Sequence, residues 1–119
     1  MKLILYVLLL VLSNRTNPGT KVNGQNQTQW CVASDTATDS ALQEALDWAC
    51  STEGGANCSL IQPAGICFQP DTLKDHASFA FNDYWQKFKT QGGSCDFKGS
   101  AVLINNNPSH DSCNFTVAP

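Results

Sequence analysis

The chain has 119 residues, a formal net charge of -3 and a charged fraction of 14%. A chain of this length predicts a single domain. It contains no run of basic residues, and the negative net charge disfavours nucleic acid and anionic membranes as partners. The small charged fraction instead favours recognition of a neutral ligand such as a sugar.

The N-terminal sequence predicts export from the cell. Lys2 precedes an apolar run over residues 3–12, which is typical of a secretory signal peptide and too short to cross a bilayer. We predict a signal peptide at residues 1–13, a flexible polar segment at residues 14–29 and the folded domain at residues 30–119. The C-terminal residues lack the spacer and hydrophobic tail of a glycolipid anchor, so we expect a secreted protein without a membrane anchor.

The chain contains six cysteines, and an even number in a small secreted chain predicts disulfide bonds rather than a metal site. There is no Cys-x-x-Cys pair and no Cys/His cluster at zinc spacing, so we expect no metal and no cofactor. Six cysteines allow many pairings, and their spacing does not choose among them. Cys50 and Cys58 bracket a glycine-containing turn, which makes a local bridge between them sterically easy.

Two helices are predicted. The first covers residues 38–50, where Ser40 and Gln43 fit a capping box and apolar residues recur at helical spacing. Trp48 lies beside that apolar stripe, and we interpret it as a packing residue. The second helix runs from residue 72 to about residue 90, and Asp71 is its predicted N-cap.

The β-like part of the sequence lies near the C-terminus. Residues 97–104 and residues 114–117 are the two β-like runs, and an Asn-rich loop separates them. We predict that they pair with each other as a small antiparallel sheet.

The second helix carries four aromatic residues within seven positions. A stripe typical of a core-facing surface is formed by Leu73, Ala77, Ala80, Phe81, Tyr84 and Phe88. Phe79, Asn82 and Gln86 lie away from that stripe, with Trp85 on its flank. An aromatic ring can support the face of a sugar ring while amides bind its hydroxyl groups. Helix spacing leaves two interpretations open: an exposed platform for a ligand, or a surface buried against the first helix, or against Trp30 and Phe68.

The carboxylates of the chain do not indicate an enzyme. A glycosidase needs two of them facing each other across a cleft. The chain has Glu44, Glu53 and eight aspartates, but most of these fit helix caps or solvated helix faces. His76 and Ser78 do not form a nucleophilic pair, because residues i and i+2 point to different sides of a helix. We therefore predict no catalytic residues.

Sequons predict N-glycosylation at Asn26, Asn57 and Asn114. Asn26 is the strongest of these predictions because it lies in the segment expected to be flexible. A further asparagine, Asn107, is excluded because Pro108 follows it.

These features resemble the X8 domain of plants, which is carbohydrate-binding module family 43. The resemblance extends from Trp30 to about Phe115, and it rests on the six cysteines and on three sequence motifs. The motifs are Trp30-Cys31-Val32, His76-Ala77-Ser78-Phe79-Ala80-Phe81-Asn82-Asp83-Tyr84-Trp85-Gln86 and Phe97-Lys98-Gly99-Ser100-Ala101.

The resemblance implies a small, disulfide-rich α+β fold. Its expected parts are two packed α-helices, a small antiparallel β-sheet, long coil segments and three disulfides. The implied bridges are Cys31–Cys95, Cys50–Cys58 and Cys67–Cys113.

The resemblance also implies a function, namely that of a secreted, non-catalytic protein of the plant cell wall that binds β-1,3-glucan such as callose or laminarin. We predict a ligand-binding surface on the second helix, formed by Phe79, Asn82, Tyr84, Trp85 and Gln86. We expect a monomer, with a cell-wall glucanase as a further partner. The alternative is a disulfide-stapled extracellular defence, inhibitor or lipid-binding protein.

Overall fold

A computed structural model describes residues 27–118. Four main elements follow one another: β1 (Trp30–Ala33), α1 (Asp39–Ala49), α2 (Leu73–Phe88) and β2 (Ala101–Ile104). Short 3₁₀ helices occupy Cys58–Ile61 and Lys89–Gln91. Neither helix of this described part is long and apolar enough to cross a membrane. The predicted signal peptide, most of the predicted flexible segment and Asn26 lie outside the described residues.

The predicted fold class is confirmed, but the predicted pairing of strands is wrong. β2 pairs antiparallel with β1, so that Trp30 lies opposite Ile104 and Ala33 lies opposite Ala101. Residues 114–117 form no strand. Their backbone is held by α2 instead, because the Thr116 carbonyl accepts a hydrogen bond from Asn82 Nδ2 at 2.9 Å.

The helices begin within one residue of their predicted starts, but with different caps. Thr38 is the N-cap of α1, and its hydroxyl oxygen accepts the Ala41 N–H at 3.1 Å. Ser40 therefore lies inside the helix, and the predicted capping box is wrong. Thr72 caps α2 in the same way, by accepting the Asp75 N–H. In both cases a threonine hydroxyl accepts the N–H three residues ahead, so the predicted N-cap at Asp71 is also wrong.

The central element is α2, which packs against both β1 and α1. The predicted core stripe is confirmed at its centre, where Ala77, Ala80 and Phe81 are fully buried. Phe81 is among the largest fully buried side chains of the described chain. Full burial of such a ring stabilises a fold by about 2 to 3 kcal/mol, which makes α2 the main contributor to the core.

A row of polar side chains on α2 takes the place of a third strand beside β1. The hydrogen bonds are Ala33 N–H to Ser78 Oγ (2.9 Å), Cys31 N–H to Asn82 Oδ1 (3.1 Å) and Gln86 Nε2–H to the Gln29 carbonyl (2.9 Å). Four residues of helix advance about 6 Å and two residues of strand advance about 6.6 Å. The two repeats match, so that three successive α2 positions reach three alternate positions of the extended chain.

The structure contains three disulfides with the implied pairing, and two of them join segments that are far apart in sequence. Cys31–Cys95 and Cys67–Cys113 close separations of 64 and 46 residues, whereas Cys50–Cys58 closes a separation of 8. In the chain-entropy model, each of the two long bridges stabilises the folded state by about 4 kcal/mol. Such bridges offset the small core of a domain of this size.

His110 connects the loop before Cys113 to the segment before α2. Its Nδ1 lies 3.1 Å from the Pro108 carbonyl oxygen, and its Nε2 lies 3.1 Å from the Gln69 carbonyl oxygen. A neutral imidazole has one N–H, whereas an imidazolium donates from both nitrogens. The carbonyls of Pro108 and Gln69 therefore raise the pKa of His110. Desolvation opposes the two carbonyls but is the smaller effect, and the carboxylates of Asp111 and Asp75 add still smaller contributions that raise the pKa.

We expect protonated His110 to stabilise the folded chain. Because its pKa is raised on folding, the contribution is present below the unfolded value of about 6.5 and is lost as the pH rises through the folded pKa. Denaturant unfolding between pH about 5 and pH about 8.5 measures this decline. The variant His110→Gln keeps one donor but cannot titrate, so it should show a flatter profile. His76→Gln is the control, and an unchanged decline in His110→Gln contradicts the assignment.

Candidate functional site

The structure decides between the two interpretations left open for the second side of α2. Phe79, Asn82 and Gln86 are 3%, 0% and 3% exposed. The expectation that these three side chains face outward is therefore wrong, and the buried interpretation holds. Phe79 packs edge-to-face against Phe115, with ring centroids 5.4 Å apart.

The amides of Asn82 and Gln86 are turned inward because the protein's own backbone needs them. Asn82 Oδ1 accepts from Cys31 N–H and from Gln86 Nε2, and Asn82 Nδ2 donates to Thr116. Gln86 Oε1 accepts from Ala118 N–H at 3.1 Å, which engages the other end of that amide. An amide bonded at both ends inside the protein has little left to offer a ligand.

Tyr84 and Trp85 are half-buried, and they face different sides of α2. Neighbouring helix residues are separated by about 100°, so one turns towards α1 while the other turns away. Tyr84 lies 5.1 Å from Trp48 of α1, measured between ring centroids. Trp85 instead lies beneath the ammonium group of Lys89, which is 4.8 Å from its ring centroid.

A cleft of about 320 Å³ opens between α1, α2 and the chain before β2. It is lined by Ala41, Glu44, Ala45, Trp48, Tyr84, Ser94, Phe97, Lys98 and Ser100. Its walls are three aromatic rings that meet edge to face. The ring of Phe97 lies 6.0 Å from that of Trp48 and 5.5 Å from that of Tyr84. We call this the aromatic cleft.

The position of Phe97 in the aromatic cleft is fixed by ring stacking and by the local backbone conformation. Its ring stacks on the fully buried Phe81, with centroids 4.2 Å apart and an interplanar angle of 14°. Its backbone is left-handed (φ 51°), as are those of Lys98 (φ 56°) and Gly99 (φ 84°). Glycine adopts this conformation freely, but for each of the other two residues it costs about 1 to 2 kcal/mol of conformational free energy. The stacking on Phe81 and the nearby Cys31–Cys95 bridge maintain that local strain.

Neutral polar groups accompany the rings. The Tyr84 hydroxyl and the Trp48 indole N–H have no hydrogen-bond partner within residues 27–118, so both can bond to a ligand. Trp48 is 40% exposed, which is high for so large an apolar side chain. At the mouth, Lys98 Nζ lies 3.4 Å from Glu44 Oε1 in an exposed ion pair. The opposite charges largely cancel, which leaves an apolar cleft with a polar rim.

Within the described chain, no group of three or more His, Cys, Asp or Glu side chains could hold a metal ion. The carboxylate of Asp83 is buried but serves the fold. Burial acts to raise its pKa, yet hydrogen bonds from Asn57 N–H (2.6 Å), the Thr116 hydroxyl (2.7 Å) and Lys87 (3.1 Å) outweigh it and lower the pKa. A carboxylate stabilised in its charged form is suited to anchoring the backbone rather than to donating a proton.

The glycosylation sequons within the described chain lie at the surface. Asn57 and Asn114 are both exposed. Asn57 Oδ1 accepts a hydrogen bond from the Ser59 hydroxyl, at 2.7 Å. Occupancy at either asparagine stays a prediction.

Sequence reasoning assigned Trp48 to packing and did not single out Phe97 as a site residue. For Trp48, the sequence did contain an indication of a site. Ala41, Ala45 and Trp48 follow i, i+4 and i+7 spacing, so two small side chains form a groove on α1 beside a large ring. No comparable signal exists for Phe97, because its position depends on a left-handed turn and on stacking against α2.

Comparison with known proteins identifies the family. The X8 domain model matches residues 29–102. The chain belongs to the X8 family. Among similar proteins, the major pollen allergen Ole e 10 of Olea europaea is 38% identical over 100 residues, which cover 84% of this chain and 80% of the allergen. The alignment therefore covers most of both proteins.

Two other X8 relatives come from Arabidopsis thaliana. Glucan endo-1,3-beta-glucosidase 1 is 54% identical over 90 residues, which cover 76% of this chain but 17% of the glucosidase. Plasmodesmata callose-binding protein 2 is 36% identical over 113 residues, which cover 95% of this chain and 52% of that protein. The chain spans less than a fifth of the first and about half of the second.

The structural role of Asn82 predicts a stability defect. Asn82→Ala would leave the buried Cys31 N–H and the Thr116 carbonyl without partners, and we expect a loss of about 3 kcal/mol in the free energy of unfolding. Chemical denaturation measures this loss. Gln43→Ala, on the exposed side of α1, is the control and should change stability by less than about 0.5 kcal/mol. An Asn82→Ala variant as stable as the wild type would contradict the buried assignment.

Proposed function

We propose that this X8 protein is a secreted, non-catalytic module that binds β-1,3-glucan in the aromatic cleft. The observation that carries the proposal is the meeting of three rings, from Trp48, Tyr84 and Phe97, in one open cleft. The relatives give further support, because one is named a callose-binding protein and another a glucan endo-1,3-beta-glucosidase.

The chemistry of the aromatic cleft suits a neutral sugar. The C–H groups on the face of a β-linked glucose ring pack well against aromatic rings. The Tyr84 hydroxyl can donate to or accept from a sugar hydroxyl, and the Trp48 indole N–H can donate. Neither contact requires a charge on the ligand, which agrees with the cancelled charges at the cleft mouth.

The same cleft offers poor support for hydrolysis. Glu44 is the carboxylate among its described lining residues, and that group is paired with Lys98. Hydrolysis of a glycosidic bond requires a second carboxylate across the bond. Binding without bond cleavage is therefore the function that the cleft supports best.

The disulfides also support a location for the protein outside the cell. Three disulfides fit an oxidising compartment outside the cell, such as the cell wall. A module that holds β-1,3-glucan could act beside a separate cell-wall glucanase, since both would meet on the same polymer.

Replacement of Trp48 tests whether the aromatic cleft binds β-1,3-glucan. Trp48→Ala removes one of the three rings, and we expect laminarin affinity to fall by at least about tenfold, the loss typical of a stacking aromatic residue. Affinity electrophoresis in gels containing laminarin measures the change. The fold should persist, because Trp48 is partly exposed and lies at the edge of the core.

The matched control is Trp85→Ala, which removes the same kind of side chain from the other flank of α2. Trp85 does not line the aromatic cleft, so laminarin affinity should stay close to that of the wild type. Unfolding is measured for both variants so that a loss of fold is not mistaken for a loss of binding. Reduced affinity in Trp85→Ala with full affinity in Trp48→Ala would move the site to the flank of α2.

A further inference from the structure

A second cleft, of about 510 Å³, lies on the other flank of α1. Gln43 and Asp47 of α1 form one wall, and Gln62, Phe68 and His76 are among the residues that form the rest. We call it the polar cleft. None of its lining residues also lines the aromatic cleft, so α1 separates two independent sites.

The amide donors of the polar cleft are turned towards the protein. Gln43 Nε2 donates to Asp47 Oδ1 at 2.9 Å, and Gln62 Nε2 donates to the Cys58 carbonyl at 3.1 Å. His76 Nε2 lies 2.7 Å from the Phe68 carbonyl oxygen, which fixes the N–H on that nitrogen in the neutral ring. Each of these polar side chains therefore keeps an oxygen or a ring nitrogen free as an acceptor.

The carboxylates of Asp47 and Asp71 add further hydrogen-bond acceptors to the polar cleft. Asp47 retains its second oxygen, and Asp71 lies at the edge of the cleft with 59% of its side chain exposed. His76 Nε2 is 3.7 Å from Asp71 Oδ1. A ligand that supplies several hydrogen-bond donors would match these acceptors. A metal ion is a poor candidate, because no group of three metal-binding side chains exists within residues 27–118.

An aromatic surface accompanies the acceptors. The rings of Phe68 and His76 lie 5.2 Å apart at an interplanar angle of 33°, and both are half-buried. Leu46 and Leu73 continue this apolar surface. A sugar matches the combination, since its hydroxyl groups donate hydrogen bonds while its C–H groups contact rings.

We propose that the polar cleft is a second saccharide site, so that one molecule holds two segments of β-1,3-glucan. This proposal rests on the proposed function, because it assumes the same class of ligand. Two sites on opposite flanks of one helix raise the avidity for a long polymer. They also allow the protein to join separate chains, which a single site cannot do.

A titration with laminaritriose tests the second site. Nitrogen-15-labelled protein reports on each cleft by NMR, through the Trp48 indole N–H for the aromatic cleft and the side-chain amides of Gln43 and Gln62 for the polar cleft. In the wild type we expect both sets of signals to shift and to saturate. The short ligand is chosen so that one molecule does not bridge the two clefts.

Variants separate the two sites. In the double variant Gln43→Ala and Asp47→Ala, the Gln62 amide should titrate about tenfold more weakly, while the Trp48 signal titrates as in the wild type. In Trp48→Ala, which lacks the indole reporter, the Gln43 and Gln62 amides should titrate as in the wild type. Glu53→Ala is the control, because it removes one exposed negative charge outside both clefts. Light scattering with laminarin should detect cross-linked polymer for the wild type and Glu53→Ala, and not for the double variant.

The outcomes are distinguishable. Shifts confined to the Trp48 side in the wild type, or an unchanged Gln62 titration in the double variant, overturn the second site and leave the proposed function intact. Shifts of the glutamine amides without any at Trp48 support the second site and remove the aromatic cleft from the proposed function. An absence of all shifts, together with no retention by laminarin, overturns both.

Discussion

The structure depends on the hydrogen bonds between α2 and the backbone of β1. A two-stranded sheet has an unpaired edge on each strand, and the edge of β1 is buried, so its N–H groups need partners. Ser78 and Asn82 supply them from successive turns of α2. Side chains of α2 thereby form the hydrogen bonds that a neighbouring strand would form. These bonds fix the orientation of α2 about its own axis.

That orientation determines what α2 presents elsewhere. With Asn82 facing β1, Tyr84 is directed towards α1, and Phe81 lies in the core beneath Phe97. The Cys31–Cys95 bridge holds the chain that carries Phe97 close to β1. The aromatic cleft is therefore assembled from elements that cannot move independently. Rigid ring surfaces lose little conformational entropy on binding, which suits a site that depends on stacking.

The position of α1 gives the domain two unlike surfaces. One flank contributes Trp48 to an apolar cleft, and the other contributes Asp47 to a cleft rich in acceptors. The difference arises from neighbouring residues of one helix, because a step of one residue rotates the side chain by about 100°. One side of α1 thus offers aromatic rings for stacking, and the other offers hydrogen-bond acceptors.

The two helices could be predicted from the sequence to within a few residues, as could the core stripe of α2 and, through family resemblance, the three disulfides. The sequence placed Asn82 and Gln86 on one side of α2 but could not say what that side meets, because an amide bonds equally well to a ligand or to backbone. Only the tertiary structure brought residues 29–33 alongside α2, paired β1 with β2, and moved the candidate site to Trp48 and Phe97. These are contacts between distant segments, and local periodicity carries no information about them.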